Sequence, residues 1–211
     1  MKYNFEVRSI AQESQSIAEK HAAFVHGVQH LPPPWKASQT VAAPDLGSAL
    51  SGILKVSDLL AKGLRGRVVY QFRRPFRDEG SQDDWIDISF NPARIDYDTL
   101  VGQIFLDYAA AFDAYYAEIA NDEFIYMDFD RISEARINKR HGLYRVAPVS
   151  YMRRDFCQRA LGLSPTQVVA RLKGEVEVAR EALDGVFVVL TSRVVGTEEM
   201  DAICWKARSR L

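Results

Sequence analysis

Val101, Ile104, Phe105, Tyr108, Phe112, Tyr115 and Ile119 recur three and four residues apart. At that spacing seven large apolar side chains form one stripe along a helix, and such a stripe must be covered by other apolar surface. The pattern predicts a long central helix starting near Asp96 or Asp98, either of which can cap it. The rest of the chain must supply the cover. Its 211 residues are 47% hydrophobic and 11% aromatic, and a compact chain of this length buries roughly 70% of the surface its unfolded form exposes. Intrinsic disorder and low-complexity character are thereby excluded.

Strands and further helices can be placed around that element. Tyr3, Phe5 and Val7 alternate with Lys2, Asn4, Glu6 and Arg8, the pattern of a half-buried strand. A helix is predicted to follow, capped by Ser9 with Gln12 closing the box and carrying Ile10, Ile17, His21, Phe24, Val25 and Val28 as far as Pro32. Asp45 is placed to cap a second helix with the stripe Leu46, Leu50, Ile53, Leu54 and Leu60 before Gly63. Val68, Tyr70 and Phe72 pair with Ile86, Ile88 and Phe90 as a hairpin. Phe124 to Phe129 reads as a strand, as does Tyr144 to Val149, with Pro148 at its end or on a sheet edge. Two short helices ended by Gly162 and Gly174 come next, the second opened by Ser164-Pro165-Thr166-Gln167. Asp184-Gly185 turns the chain into an interior strand, Val186 to Leu190, and Thr197 opens a final helix that ends among Lys206, Arg208 and Arg210. Without strict alternation of strand and helix, the expectation is an α+β fold: a single domain, residues 1–211, with helices on a mixed or mostly antiparallel sheet.

Charge is unevenly placed. The whole chain has 27 basic and 28 acidic residues, yet positions 77–134 hold fifteen acids against Arg77, Arg94 and Arg131, a net of −12. Its densest part is Asp78-Glu79-Gly80-Ser81-Gln82-Asp83-Asp84. A negative region of that size attracts a basic partner and speeds encounter. It disfavours nucleic acid, since Arg145, Arg153, Arg154 and Arg159 come without an aromatic-interleaved basic platform.

Catalytic signatures are sparse. His26 and His30 stand four apart, but Gly27 occupies the place of the glutamate a zinc protease needs, and His21 falls on the apolar stripe as a core histidine. Asp128 and Asp130 would point to one side of a strand and could hold a divalent cation, so a metal-dependent transferase or hydrolase is the alternative reading. Cys157 and Cys204 are far apart and sit within predicted helices, as structural thiols do. No phosphate loop, dinucleotide fingerprint or nucleophile elbow occurs, and no cofactor or metal is expected. The alternating N-terminus does not read as a signal peptide, and no run approaches the ~20 apolar residues of a membrane span. A cytoplasmic protein with no membrane partner is expected.

The order Tyr144-Arg145-Val146 to Ser150-Tyr151, Asp155-Phe156-Cys157-Gln158-Arg159-Ala160-Leu161-Gly162, Ser164 to Leu172, and Asp184 to Leu190 with a helix after it resembles the small immunity proteins of bacterial polymorphic-toxin systems over about residues 98–211. The resemblance implies a non-enzymatic protein that binds and occludes a cognate toxin, and it carries no catalytic motif. Together with the acidic block it makes Asp78, Glu79, Asp83, Asp84, Asp128 and Asp130 the expected partner-binding residues, set against a basic toxin face.

Overall fold

The computed structural model describes residues 1–38, 41–46, 49–73 and 83–211. The fold is α+β, and its chain contacts divide it into two compact units, residues 5–114 and residues 1–4 with 115–211.

In the first unit the elements run β1 (Tyr3–Ile10, whose first two residues belong to the other unit), α1 (Ile17–Val28), β2 (Ser51–Lys55), α2 (Val56–Leu59), β3 (Arg65–Gln71), β4 (Asp83–Phe90), α3 (Tyr97–Thr99) and α4 (Phe105–Ala111). The strand order is β2-β3-β4-β1. The predicted hairpin is present as β3 and β4, antiparallel with Val68 opposite Ile86, and β2 pairs antiparallel with the other side of β3. Leu100–Ile104 is a π-helical stretch joining α3 to α4, and Asp96 caps the start by accepting from the Thr99 N–H at 3.0 Å.

That helix does not reach Ile119. The Ala114 N–H bonds to the Ala109 carbonyl and the Asp113 N–H to the Ala110 carbonyl, with Asp113 left-handed at φ 50°. This is a Schellman end with aspartate where glycine is usual, so no residue announces the stop. The apolar spacing persists beyond it because Tyr115 and Ile119 are buried as well. The aromatic core lies on α1 and α4: Phe24 meets Phe112 edge-on at 5.3 Å, Phe5 stacks on Phe105 at 5.2 Å, and the Tyr108 hydroxyl donates to the Trp35 carbonyl at 2.7 Å. A Cβ on Gly27 would stand 2.5 Å from Ala111 Cβ, so only glycine lets the two helices approach this closely.

Two further expectations are corrected in this unit. β1 runs through Ser9, and α1 is capped seven residues later by Ser16 and Glu19, whose carboxylate accepts from the Ser16 N–H at 2.8 Å. Both segments fit the box, and the one used has a charged acceptor, which makes the stronger bond. The predicted helix from Asp45 is replaced by β2 and the single turn α2. Ile53 faces solvent at 56% exposure, so the supposed stripe was never one face of a helix.

The second unit contains β5 (Tyr116–Asn121), α5 (Asp122–Glu134), β6 (Val149–Arg153), α6 (Arg154–Leu161), α7 (Pro165–Leu172), β7 (Val178–Ala182), β8 (Gly185–Val189) and α8 (Thr197–Arg208). Its order is β5-β6-β8-β7, antiparallel throughout. Val186–Val189 is buried in the interior strand, as its apolar run requires. Gly162 ends α6 at φ 68°, and Ser164 and Gln167 form the predicted capping box of α7. The hairpin partner β7 was not foreseen, because its residues are exposed or half-buried and lack an apolar alternation. The strand placed at Tyr144–Val149 begins at Val149 instead. The segment Phe124 to Phe129, expected as a strand, is the body of α5, and that change decides the site.

Candidate partner-binding site

α5 opens with Asn121, whose side-chain oxygen accepts from the Phe124 N–H at 2.7 Å, and its first turn carries Asp122 and Glu123. Acids there complement the helix dipole. At 3.6 residues per turn the helix sorts its side chains into two faces. Phe124 and Asp128 are buried, while Glu123, Tyr126, Met127, Phe129, Asp130 and Glu134 are exposed. Tyr126 is 74% and Phe129 69% exposed, the two most exposed aromatic side chains among the large hydrophobics of the described residues. Standing three apart they are neighbours on the helix surface, flanked by Asp130 one residue further on. Isolated exposed apolar residues are ordinary, but a paired aromatic patch ringed by carboxylates has the composition of a protein-binding face.

The inner face is polar where a core would be apolar. Asp128 forms an ion pair with Arg145, which also donates to Asp201 and to the Phe124 carbonyl at 3.2 Å each and lies over the Phe124 ring. Asp201 takes a second arginine, Arg131, at 2.7 Å. Only one oxygen of Asp128 is used. The other, Oδ1, is sealed from solvent without a hydrogen-bond partner. Burial pushes the Asp128 carboxyl up to about 6 against the pull of Arg145, and nearby Glu118 adds to the rise. Burial also lowers Arg145 from its usual range. β5 brings Glu118 alongside, where its Oε2 accepts from the Tyr116 hydroxyl at 2.6 Å.

The predicted site residues therefore have separate fates. Asp78 and Glu79 lie outside the described residues. Asp83 and Asp84, expected as partner-binding acids of the 78–84 loop, are instead both buried at the start of β4. Arg73 grips Asp84 with two bonds of 2.8 Å, and the Gln71 N–H adds a third; Asp83 stands 3.9 Å from the Arg8 guanidinium. Asp128 is buried, and Asp130 is exposed on the outer face. The premise of the metal alternative falls with the strand, because residues two apart on a helix point roughly 200° apart and Asp128 and Asp130 do not converge. Among the described residues no group of three or more His, Cys, Asp or Glu side chains could hold a metal ion.

His21 is the satisfied core histidine its position suggested, bonded to the Tyr70 hydroxyl and the Val41 carbonyl at 2.9 Å each. His30 falls beyond the end of α1 and so shares no helical face with His26. Both cysteines are buried free thiols; burial raises each, Cys157 to about 12, so neither presents a thiolate. Tyr126 and Phe129 escaped the sequence reading because it weighed carboxylates and took the aromatics as strand core. Treating 122–134 as a helix would have exposed them, since Asn121 with two acids after it is a cap signal.

No helix among the described residues is long and apolar enough to cross a membrane. No family model matches the chain, and no curated protein matches its sequence. Among solved structures the chain is similar to the Pseudomonas aeruginosa T6SS protein PA0821, at 12% identity and a TM-score of 0.49, covering 89% of this chain and 64% of that one.

Proposed function

We propose that this protein is a non-enzymatic binding module, an immunity protein that neutralises a cognate bacterial toxin by occluding it, and that α5 supplies the contact. One observation carries the reading: Tyr126 and Phe129 stand 74% and 69% exposed in a setting of carboxylates. Rigid aromatic side chains are the usual anchors of protein interfaces, and surrounding charge steers encounter more than it adds affinity. The acidic block that begins at position 77 supports a basic partner face. Occlusion needs no reacting group.

The test mixes the purified protein with the toxin-like protein encoded beside it and measures binding by calorimetry. A stable complex at micromolar concentration is expected. Tyr126→Ala and Phe129→Ala should each weaken it by about 2 kcal/mol, the scale of an interface anchor, while Asp130→Asn should slow association chiefly at low salt. No complex, or a complex indifferent to both aromatic truncations, overturns the reading.

A further inference from the structure

The exposed side of α5 carries a pattern that is symmetric about Phe129. At about 100° per residue, Asp122, Ile125, Tyr126 and Ile132 fall within about 60° of Phe129 around the helix. Arg136 follows the end of α5, as many residues after Phe129 as Asp122 stands before it. The stripe therefore reads acid, apolar, aromatic, apolar, base, with Phe129 at its midpoint. Tyr126 and Phe129 are exposed and the two isoleucines half-buried. Glu123, Asp130 and Glu134 lie about 100–140° from Phe129, outside the stripe. Neither Asp122 nor Arg136 is engaged in an ion pair among the described residues, and Lys2 acts on Asp122 from beyond ion-pair distance. Opposite charges at the two ends are thus open to a partner.

We propose that two copies of the chain pair through this stripe, α5 against α5, antiparallel about a two-fold axis at Phe129. The axis sets Phe129 on Phe129 of the second copy, Tyr126 on its Ile132, and Asp122 on its Arg136, with the last two contacts made twice. Charge complementarity selects the direction. Antiparallel pairing matches acid to base at both ends and opposes the two helix dipoles, whereas parallel pairing would set Asp122 on Asp122 and Arg136 on Arg136. Such a contact uses one patch on both copies and closes at two. The acids outside the stripe stay in water at the rim, where charge belongs in an interface. Standard interfaces use about 20–30 residues a side, so a single helical stripe gives a weak dimer, dissociating near 100 µM on the order-of-magnitude scale of such contacts. Dilute protein then leaves the face free for a tighter partner, and self-pairing and toxin binding exclude each other. Self-pairing does not depend on there being a toxin.

Sedimentation velocity of the isolated protein, from about 2 µM to about 500 µM, should pass from monomer to dimer. Phe129→Ala should weaken the dimer by about tenfold or more. Asp122→Arg and Arg136→Asp should each weaken it by about threefold, and the two together should restore it, because the swapped charges meet again across the axis. Arg136 has a positive φ of 53°, a conformation that aspartate tolerates, so this variant keeps the local fold. A covalent readout fixes the geometry. Phe129→Cys, on the axis, should give a disulfide-linked dimer on mild oxidation, and Glu134→Cys, outside the stripe, should not; Cys157 and Cys204 are buried and do not compete. A monomer at every concentration, a dimer indifferent to Phe129→Ala, a double charge swap no tighter than either single one, or equal cross-linking by both cysteine variants overturns the proposal and leaves the proposed function standing. A dimer that meets these expectations, in a protein that forms no complex with the toxin-like protein, defeats the function and leaves the self-association face.

Discussion

Asp84 with Arg73 in one unit and Asp128 with Arg145 in the other are both buried ion pairs, and they are built differently. In residues 5–114, Asp84 is 0% exposed, and both its oxygens are gripped by the Arg73 fork, with the Gln71 N–H as a third donor. In residues 115–211, Arg145 is shared three ways, Asp128 has one oxygen used and one unpaired, and its carboxyl is pushed up to about 6. A fully satisfied pair holds β3 and β4 together. Burying charge stabilises only when hydrogen bonds complete the geometry, so the first pair is a structural clamp and the second carries the cost of one unpaired acceptor.

The widest gap between them should appear on removing the arginine. Arg73→Met strands a fully buried carboxylate and should lower unfolding free energy by about 3–5 kcal/mol, measured by urea denaturation. Arg145→Met should cost less, about 2 kcal/mol, because Asp128 can take up a proton instead of remaining charged. That escape gives the comparison its sharpest form. The loss at Arg145 should shrink between about pH 8 and about pH 5. Equal losses from the two substitutions would show that the two pairs are the same device.

The pH dependence of the parent protein is a smaller effect with a definite sign. Asp128 is raised in the folded state, so the folded protein binds its proton more tightly than the unfolded chain does. Its contribution to stability is fully present below the ordinary carboxylate value of about 4 and is lost as pH rises through about 6. Glu118 strengthens that rise, while Arg145, Arg131 and Lys139 oppose it. Asp128→Asn should flatten the stability profile across this window, read as thermal midpoints at successive pH values.

The same contrast explains what could be read from the sequence. The fold class, the β3–β4 hairpin, the α7 capping box, the Gly162 stop and the interior strand at Val186 all follow from local rules, and all are present. The errors arose where a local signal was duplicated or hidden. Ser9-Gln12 and Ser16-Glu19 offer the same cap, and Asp113 ends a helix in a conformation that usually signals itself with glycine. The site was hardest for a related reason. Asp83 and Asp84 look like solvated loop acids until Arg73 and Arg8 fold back on them, and sequence order does not reveal such long-range pairing. Asp130 drew notice through its spacing from Asp128 and the acidic block, and it is exposed; the aromatic residues beside it needed the helix.

The outer face of α5 gives the smallest expected effect on stability and the clearest separation of folding from binding. Tyr126 and Phe129 are mostly exposed already, so Tyr126→Ala and Phe129→Ala remove little buried surface and should change unfolding free energy by no more than about 0.5 kcal/mol. The inner-face carboxylate behaves oppositely, since every change at Asp128 alters a buried network. If the aromatic truncations destabilise the isolated protein by well over that amount, the patch is a structural part of this unit and its exposure is misleading. If they leave the denaturation curve in place while lowering affinity for the partner, then energy that could have gone into the core is being held at the surface. A chain under selection for stability alone has no reason to keep two large rings in water on a helix whose exposed acids are Glu123, Asp130 and Glu134.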